Sequence, residues 1–127
     1  GAFKNYNGQP YNGVVMLNED GSIDSQFKMG LLSGGLPSFA TQLNNGKVVI
    51  AGAFDRYNNV VRQGFMILNA DGTLAAGYNN TGAFNGAISK VIETTTALGT
   101  PALLIIGSFD KFNNTRVGNI VRVEIKN

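Results

Sequence analysis

The sequence predicts an all-β fold: a partial β-propeller built from about two and a half four-stranded antiparallel blade repeats, with a compact β-sandwich as the alternative. Three observations carry this expectation. A Gly-x-Phe motif recurs at spacings of 51 and 55 residues. Short apolar runs alternate with clusters of Asn, Asp and Gly, the residues that tolerate turn geometry. The chain of 127 residues holds 17 Gly and only 14% charged residues, which argues for many turns and against a helical bundle.

The repeat is explicit. Gly1-Ala2-Phe3-Lys4-Asn5-Tyr6-Asn7 returns as Gly52-Ala53-Phe54-Asp55-Arg56-Tyr57-Asn58 and again as Gly107-Ser108-Phe109-Asp110-Lys111-Phe112-Asn113. Residues 1–27 and 52–78 align without a gap and share ten identities, including Gly13, Leu17, Asn18, Asp20 and Gly21. The apolar runs Val48–Ala51 and Leu103–Ile106 lead into the second and third motifs. One domain, 1–127, is expected, with copies at about 1–35, 36–87 and 88–127, as a segment of a larger propeller or protein.

Each copy reads as four short strands. Asn44-Asn45-Gly46 joins the first two, since Asn-Gly accepts positive φ at both positions. A third strand is expected over 62–68, the turn Asn69-Ala70-Asp71-Gly72 follows, and a weaker fourth strand runs over 73–78. The four-residue difference between the two spacings is assigned to the longer Ala97–Pro101 connection. Val48–Ala51 and Leu103–Ile106 are apolar on both sides, so both faces must be covered, as when blades stack. Arg122 and Glu124 alternate with Val121 and Val123, the pattern of a less covered terminal strand. The strands are too few to close a ring alone, which calls for neighbouring repeats or a homo-oligomer to complete the propeller.

Composition excludes several chemistries. The chain has no Cys and no His, which removes disulfides, thiolates and the Ser-His-Asp type of triad. The net charge is +2, with Lys and Arg scattered, so no nucleic-acid partner is expected. No apolar run is long enough for a membrane span. No signal peptide is legible, and a start at Gly1 is compatible with earlier removal of one.

The blocks Leu17-Asn18-Glu19-Asp20-Gly21-Ser22-Ile23-Asp24-Ser25-Gln26-Phe27 and Asn45-Gly46-Lys47-Val48-Val49-Ile50-Ala51-Gly52-Ala53-Phe54 resemble the bacterial delta-60 repeat. Its pattern is approximately Leu-Asn-x-Asp-Gly-Ser-x-Asp-x-x-Phe, followed later by Asp-Gly-Lys and a hydrophobic strand ending Gly-Gly-x-Phe. Ala75 and Asn45 depart from it, each standing where the family has Asp. The resemblance implies a β-propeller repeat of unknown function in a secreted or cell-envelope bacterial protein, and it brings no catalytic residues.

Candidate sites are few. Asn18–Asp24 gathers oxygen ligands, but an EF-hand register would place Met16 at the first ligand position, and the second copy keeps only Asp71. A hairpin turn is the better reading, and no metal or cofactor is expected. The pairs Tyr6-Asn7, Tyr57-Asn58 and Phe112-Asn113 fall in a loop after the second strand. Ring and amide together suit a sugar; alternatively the ring anchors the loop and the Asn forms a turn. Asp20, Asp24, Asp55, Asp71, Glu93, Asp110 and Glu124 are the carboxylates from which a glycan-active enzyme would have to draw a pair. Asn79-Asn80-Thr81 and Asn113-Asn114-Thr115 match the glycosylation sequon, read as coincidence in an Asn-rich chain. The Gly of Gly-x-Phe is expected to allow close backbone approach, and the Phe to fill space between blades. The expected function is a non-catalytic binding or structural module, with glycans or other proteins as partners. A carbohydrate-binding module and a carboxylate-dependent enzyme are the alternatives.

Overall fold

The computed structural model describes residues 3–11, 13–75 and 84–124. Thirteen short strands and no helix are found among them. In chain order these are β1 (Asn5–Tyr6), β2 (Gln9–Pro10), β3 (Leu32–Ser33), β4 (Pro37–Gln42), β5 (Val48–Gly52), β6 (Arg56–Tyr57) and β7 (Val60–Val61). They continue as β8 (Phe65–Leu68), β9 (Ile88–Thr95), β10 (Pro101–Gly107), β11 (Lys111–Phe112), β12 (Thr115–Arg116) and β13 (Ile120–Glu124). Two antiparallel sheets form the bulk of the structure, ordered β4-β5-β8 and β13-β10-β9. Corresponding repeat positions occupy corresponding strands, so these sheets are the second and third blades.

The middle sheet is three-stranded where four strands were expected. The fourth is reduced to one bridge, Leu68 to Leu74, matched in the first copy by Leu17 to Ile23. Residues 76–78 of that expected strand lie outside the described residues. The expected third strand over 62–68 is shortened to β8 at 65–68 and is preceded by β7, because the Arg62 amide turns back to the Asp55 carbonyl at 2.9 Å. Gly64, at φ 77°, carries the chain from one to the other.

The turns have two recurring forms. Leu43–Lys47, Asn18–Ser22, Asn69–Thr73 and Thr96–Thr100 each close with a bond from the fourth residue's amide to the first carbonyl, at 2.9–3.0 Å. The first residue's amide then bonds the fifth carbonyl, and the fourth residue is a glycine at φ 82–93°. This is a type I turn followed by a glycine bulge. Only Gly46, not Asn45, takes positive φ there, so the Asn-Gly pair does not form the expected two-residue turn. The bulge turn matches the strand twist while needing one left-handed residue.

The second form lies in the Gly-x-Phe-x-x-aromatic-Asn motif, which is a miniature hairpin: β1-β2, β6-β7 and β11-β12. Its central residues are Asn7-Gly8, Asn58-Asn59 and Asn113-Asn114, all with positive φ (48° to 78°), the type I′ geometry.

The extra four residues of the last copy do not sit in the 97–101 connection. That turn is built like 43–47, whereas β9 has eight residues against six in β4, and β10 seven against five in β5. Two residues are added to each strand. Equal lengthening keeps an antiparallel pair in register, and an even number keeps every side chain on its own face.

The core sits between copies. Val48 to Ala51 and Phe65 to Leu68 are all buried. Val48, Ile50, Met66 and Leu68 pack with Phe27, Val14, Met16 and Met29 of the first copy. Val49, Ala51, Phe65 and Ile67 pack with Leu103, Ile105, Val121 and Val123 of the third. A two-layer sandwich leaves the outer face of each sheet in water; this middle sheet is covered on both sides, as in a propeller. On the last sheet, Arg122 and Glu124 are exposed while Val121 and Val123 are half-buried, as the alternation implied.

Gly52 and Gly107 end the central strands beside bulges in β4 and β9. An added Cβ would collide with the Leu36 carbonyl oxygen at the first and the Ala87 carbonyl oxygen at the second. The close approach lets Phe54 and Phe109 turn into the core. Phe54 is 2% exposed, while its equivalent Phe3 is 39% exposed. Phe54→Ala should therefore lower the unfolding free energy by about 3–5 kcal/mol, and Phe3→Ala by less than about 1, in urea titration. Equal effects would contradict the placement of Phe54 in the core.

Candidate functional site

The conspicuous polar residues are engaged with their own backbone. In the turn after Leu17, Asp20 Oδ1 accepts from the Ser22 amide at 2.9 Å and the Ser22 hydroxyl at 2.6 Å. In the turn after Leu68, Asp71 Oδ1 accepts the same pair of bonds from Thr73 at the same distances. The Ser22 hydroxyl and amide hold the Asp20 carboxyl below its ordinary value of 3.8, and Thr73 does so for Asp71. Asp24 accepts from the Gln26 amide at 2.9 Å. These carboxylates shape turns. Among the described residues no group of three or more acids is placed to hold a metal ion.

Tyr6, Asn7, Tyr57, Asn58, Phe112 and Asn113 sit on the miniature hairpins instead of on a long loop, with each Asn exposed at the first turn position. Their rings differ in exposure. Tyr57 is 1% exposed. Its hydroxyl accepts from the Gly30 amide at 2.6 Å and donates to the Gly72 carbonyl at 2.5 Å. Burial pushes that hydroxyl above its ordinary value of 10.0. Asn58 Oδ1 accepts from the Leu31 amide at 2.9 Å, and the Asn58 amide donates to the Leu31 carbonyl at 2.8 Å. Tyr57 and Asn58 thus clamp the 30–31 segment and the 69–73 turn against β6. Phe112 is half-buried and meets Phe84 at 4.8 Å between ring centroids; Phe84 in turn contacts Phe109 and Phe65. Tyr6 is half-buried.

Two further residues hold the site region: Asn85, which was not singled out from the sequence, and Glu93, one of the candidate carboxylates. Asn85 Oδ1 accepts from the amides of Asp110 and Lys111 at 2.9 and 3.0 Å, and its Nδ2 donates to the Asp110 carboxylate. That bond holds the Asp110 carboxyl below its ordinary value. Gly34 of the first copy stands at the equivalent position 51 residues earlier, where a Cβ would collide with the Asp55 carboxylate. The Gly34/Asn85 exchange at the 51-residue offset was the signal available. Glu93 accepts from the Asn44 amide with both oxygens, at 2.9 and 3.0 Å, tying β9 to the β4-β5 turn. Asn79-Asn80-Thr81 lies outside the described residues, and Asn113-Asn114-Thr115 spans the β11-β12 turn.

Clefts open between copies. One of about 280 Å³ is lined by Ser38, Gly52, Ala53, Gly64, Gly86, Ala87 and Ile88. Another of about 230 Å³, between the first and second copies, is lined by Phe3, Gly13, Val14 and Val15 and by Pro37 to Ala40. Among the described residues the Ser38 hydroxyl is the polar side chain in both walls, and no charged group lines either. Such walls offer backbone hydrogen bonds and apolar contact, without an acid or base for proton transfer. Removing the Tyr57 hydroxyl tests how much the clamp contributes. Tyr57→Phe should cost about 1–3 kcal/mol in thermal or urea unfolding, since the buried Gly72 carbonyl loses its donor. A neutral substitution would show that the clamp carries no stability.

Residues 1–27 and 43–74 match the family model described as "Domain of unknown function (DUF5122) beta-propeller". No curated protein and no solved structure matches the chain. Over these two segments the chain is similar to this β-propeller family of unknown function, in line with its resemblance to the delta-60 repeat.

Proposed function

We propose that the chain serves as a non-catalytic binding or structural module of a secreted or cell-envelope bacterial protein. One observation carries the non-catalytic part: the recurring polar side chains Asp20, Asp71, Tyr57 and Asn58 are committed to turns and inter-segment clamps. A carboxylate that accepts two bonds from its own turn is held as an acceptor, poorly suited to deliver a proton. The cellular location rests on the family resemblance alone.

Glycan recognition is the second reading, and the first copy favours it over the others. Tyr6 keeps part of its ring in solvent, where Tyr57 does not, and Asn7 stands exposed beside it on a rigid type I′ turn. A ring face and an amide held at fixed separation match the apolar face and hydroxyls of a sugar. A glycan array with the wild-type chain and Tyr6→Ala tests this; binding lost in the variant is the expected result. A blank array removes the glycan reading and leaves the structural one. Polysaccharide hydrolysis that disappears in a carboxylate variant would contradict the non-catalytic proposal.

A further inference from the structure

β4 and β9 carry the same irregularity at the same place. The register of β4 with β5 steps from Pro37 to Phe39, and that of β9 with β10 steps from Ile88 to Lys90. The residue bulged out is a serine each time, Ser38 and Ser89, 51 residues apart. A bulge re-aims one side chain out of the ladder. Ser89 turns its hydroxyl onto its own sheet, donating to the Ile106 carbonyl at 3.1 Å. The Ser38 hydroxyl makes no hydrogen bond among the described residues and stands exposed in the walls of two clefts.

These clefts adjoin at Ser38. Their volumes of about 280 and 230 Å³ each fall below the range of about 300–1,000 Å³ common for small-molecule sites, and together they enter it. In the larger, Ala53, Gly64, Gly86 and Ala87 leave the room, and Ile88 adds apolar wall. The smaller is walled by Val14 and the half-buried Phe39. A carboxylate or sulfate entering these walls would lose water without meeting a cation, whereas a neutral ligand has no such cost. The Ser38 hydroxyl both donates and accepts, and it stands beside apolar carbon. That combination fits a sugar ring, which carries hydroxyls on its rim and C–H groups on its faces. Two adjoining clefts fit two linked sugar units.

We propose that the clefts on either side of Ser38 bind a neutral oligosaccharide of at least two units, with the Ser38 hydroxyl bonding sugar hydroxyls where the clefts meet. This rests on the glycan reading above and adds a second contact region to it, one with neither Tyr6 nor Asn7 in its walls. Ala87 sets the room in the larger cleft. Its equivalent 51 residues earlier is Leu36, so the repeat accepts leucine at this position.

An array of neutral and uronate-bearing oligosaccharides, followed by calorimetric titration with the neutral binders, tests this. The wild-type chain should bind neutral disaccharides and longer chains more tightly than their monosaccharides, with an affinity independent of salt. Ser38→Ala should weaken binding about twofold to tenfold, the loss of one hydrogen bond. Ala87→Leu should reduce disaccharide affinity to that of the monosaccharide, with an unchanged circular dichroism spectrum. Binding confined to acidic glycans, or binding that neither variant changes, would overturn the proposal. If Tyr6→Ala abolishes binding while Ser38→Ala and Ala87→Leu leave it intact, the glycan reading stands and its placement in the clefts falls. A blank array removes both.

Discussion

The structure depends on packing one sheet face against the next. The middle sheet places Val48 and Ile50 on one side, Val49 and Ala51 on the other, and buries all four. Burial of this kind contributes roughly 1.5–3 kcal/mol per large aliphatic side chain. With charged residues at 14%, few ion pairs are available to share the task. Turns, clamps and hairpins then serve to hold successive sheets at the spacing that lets these faces meet.

Two local devices set that spacing. Glycine at the end of each central strand lets the backbone of the preceding segment come close, and the following Phe turns into the space between sheets. The miniature hairpin then folds over it, with the Tyr11, Arg62 and Val117 amides bonding the Lys4, Asp55 and Asp110 carbonyls at 2.6–3.0 Å. In the middle copy Tyr57 adds a buried hydroxyl that reaches both the entering segment and the exiting turn. In the last copy Phe112 has no hydroxyl, and the region is held by the Phe84 ring and by Asn85 instead. The same repeat position is thus secured by polar or by aromatic contact according to its neighbours.

Much of this was legible in the sequence. Repeat spacing gave the blades, and the doubly apolar run at 48–51 gave the stacking, because a strand buried on both faces cannot alternate; in the run at 103–106 Leu103 and Ile105 are buried while Leu104 and Ile106 are half-buried. The miniature hairpins carried their turn signal only in the first copy, as Asn7-Gly8. Asn58-Asn59 and Asn113-Asn114 lack the glycine that marks a type I′ turn, and two-residue strands leave no periodicity to read. The four added residues were misplaced because a lengthened hairpin looks, in sequence, like a longer loop. The candidate site was legible only as residue types: that Tyr57 is buried and Tyr6 is not depends on contacts with Gly30 and Gly72, distant in sequence.

Stacking between copies, if it is the governing interaction, must set local stability as well as shape. Strands covered on both faces open only when the whole unit unfolds, whereas strands covered on one face open more readily. Amide hydrogen exchange read by mass spectrometry separates these cases directly. The slowest exchange is expected in peptides spanning 48–52 and 65–68, with faster exchange in 120–124. Equal or faster exchange in 48–52 than in 120–124 would contradict the governing role of stacking.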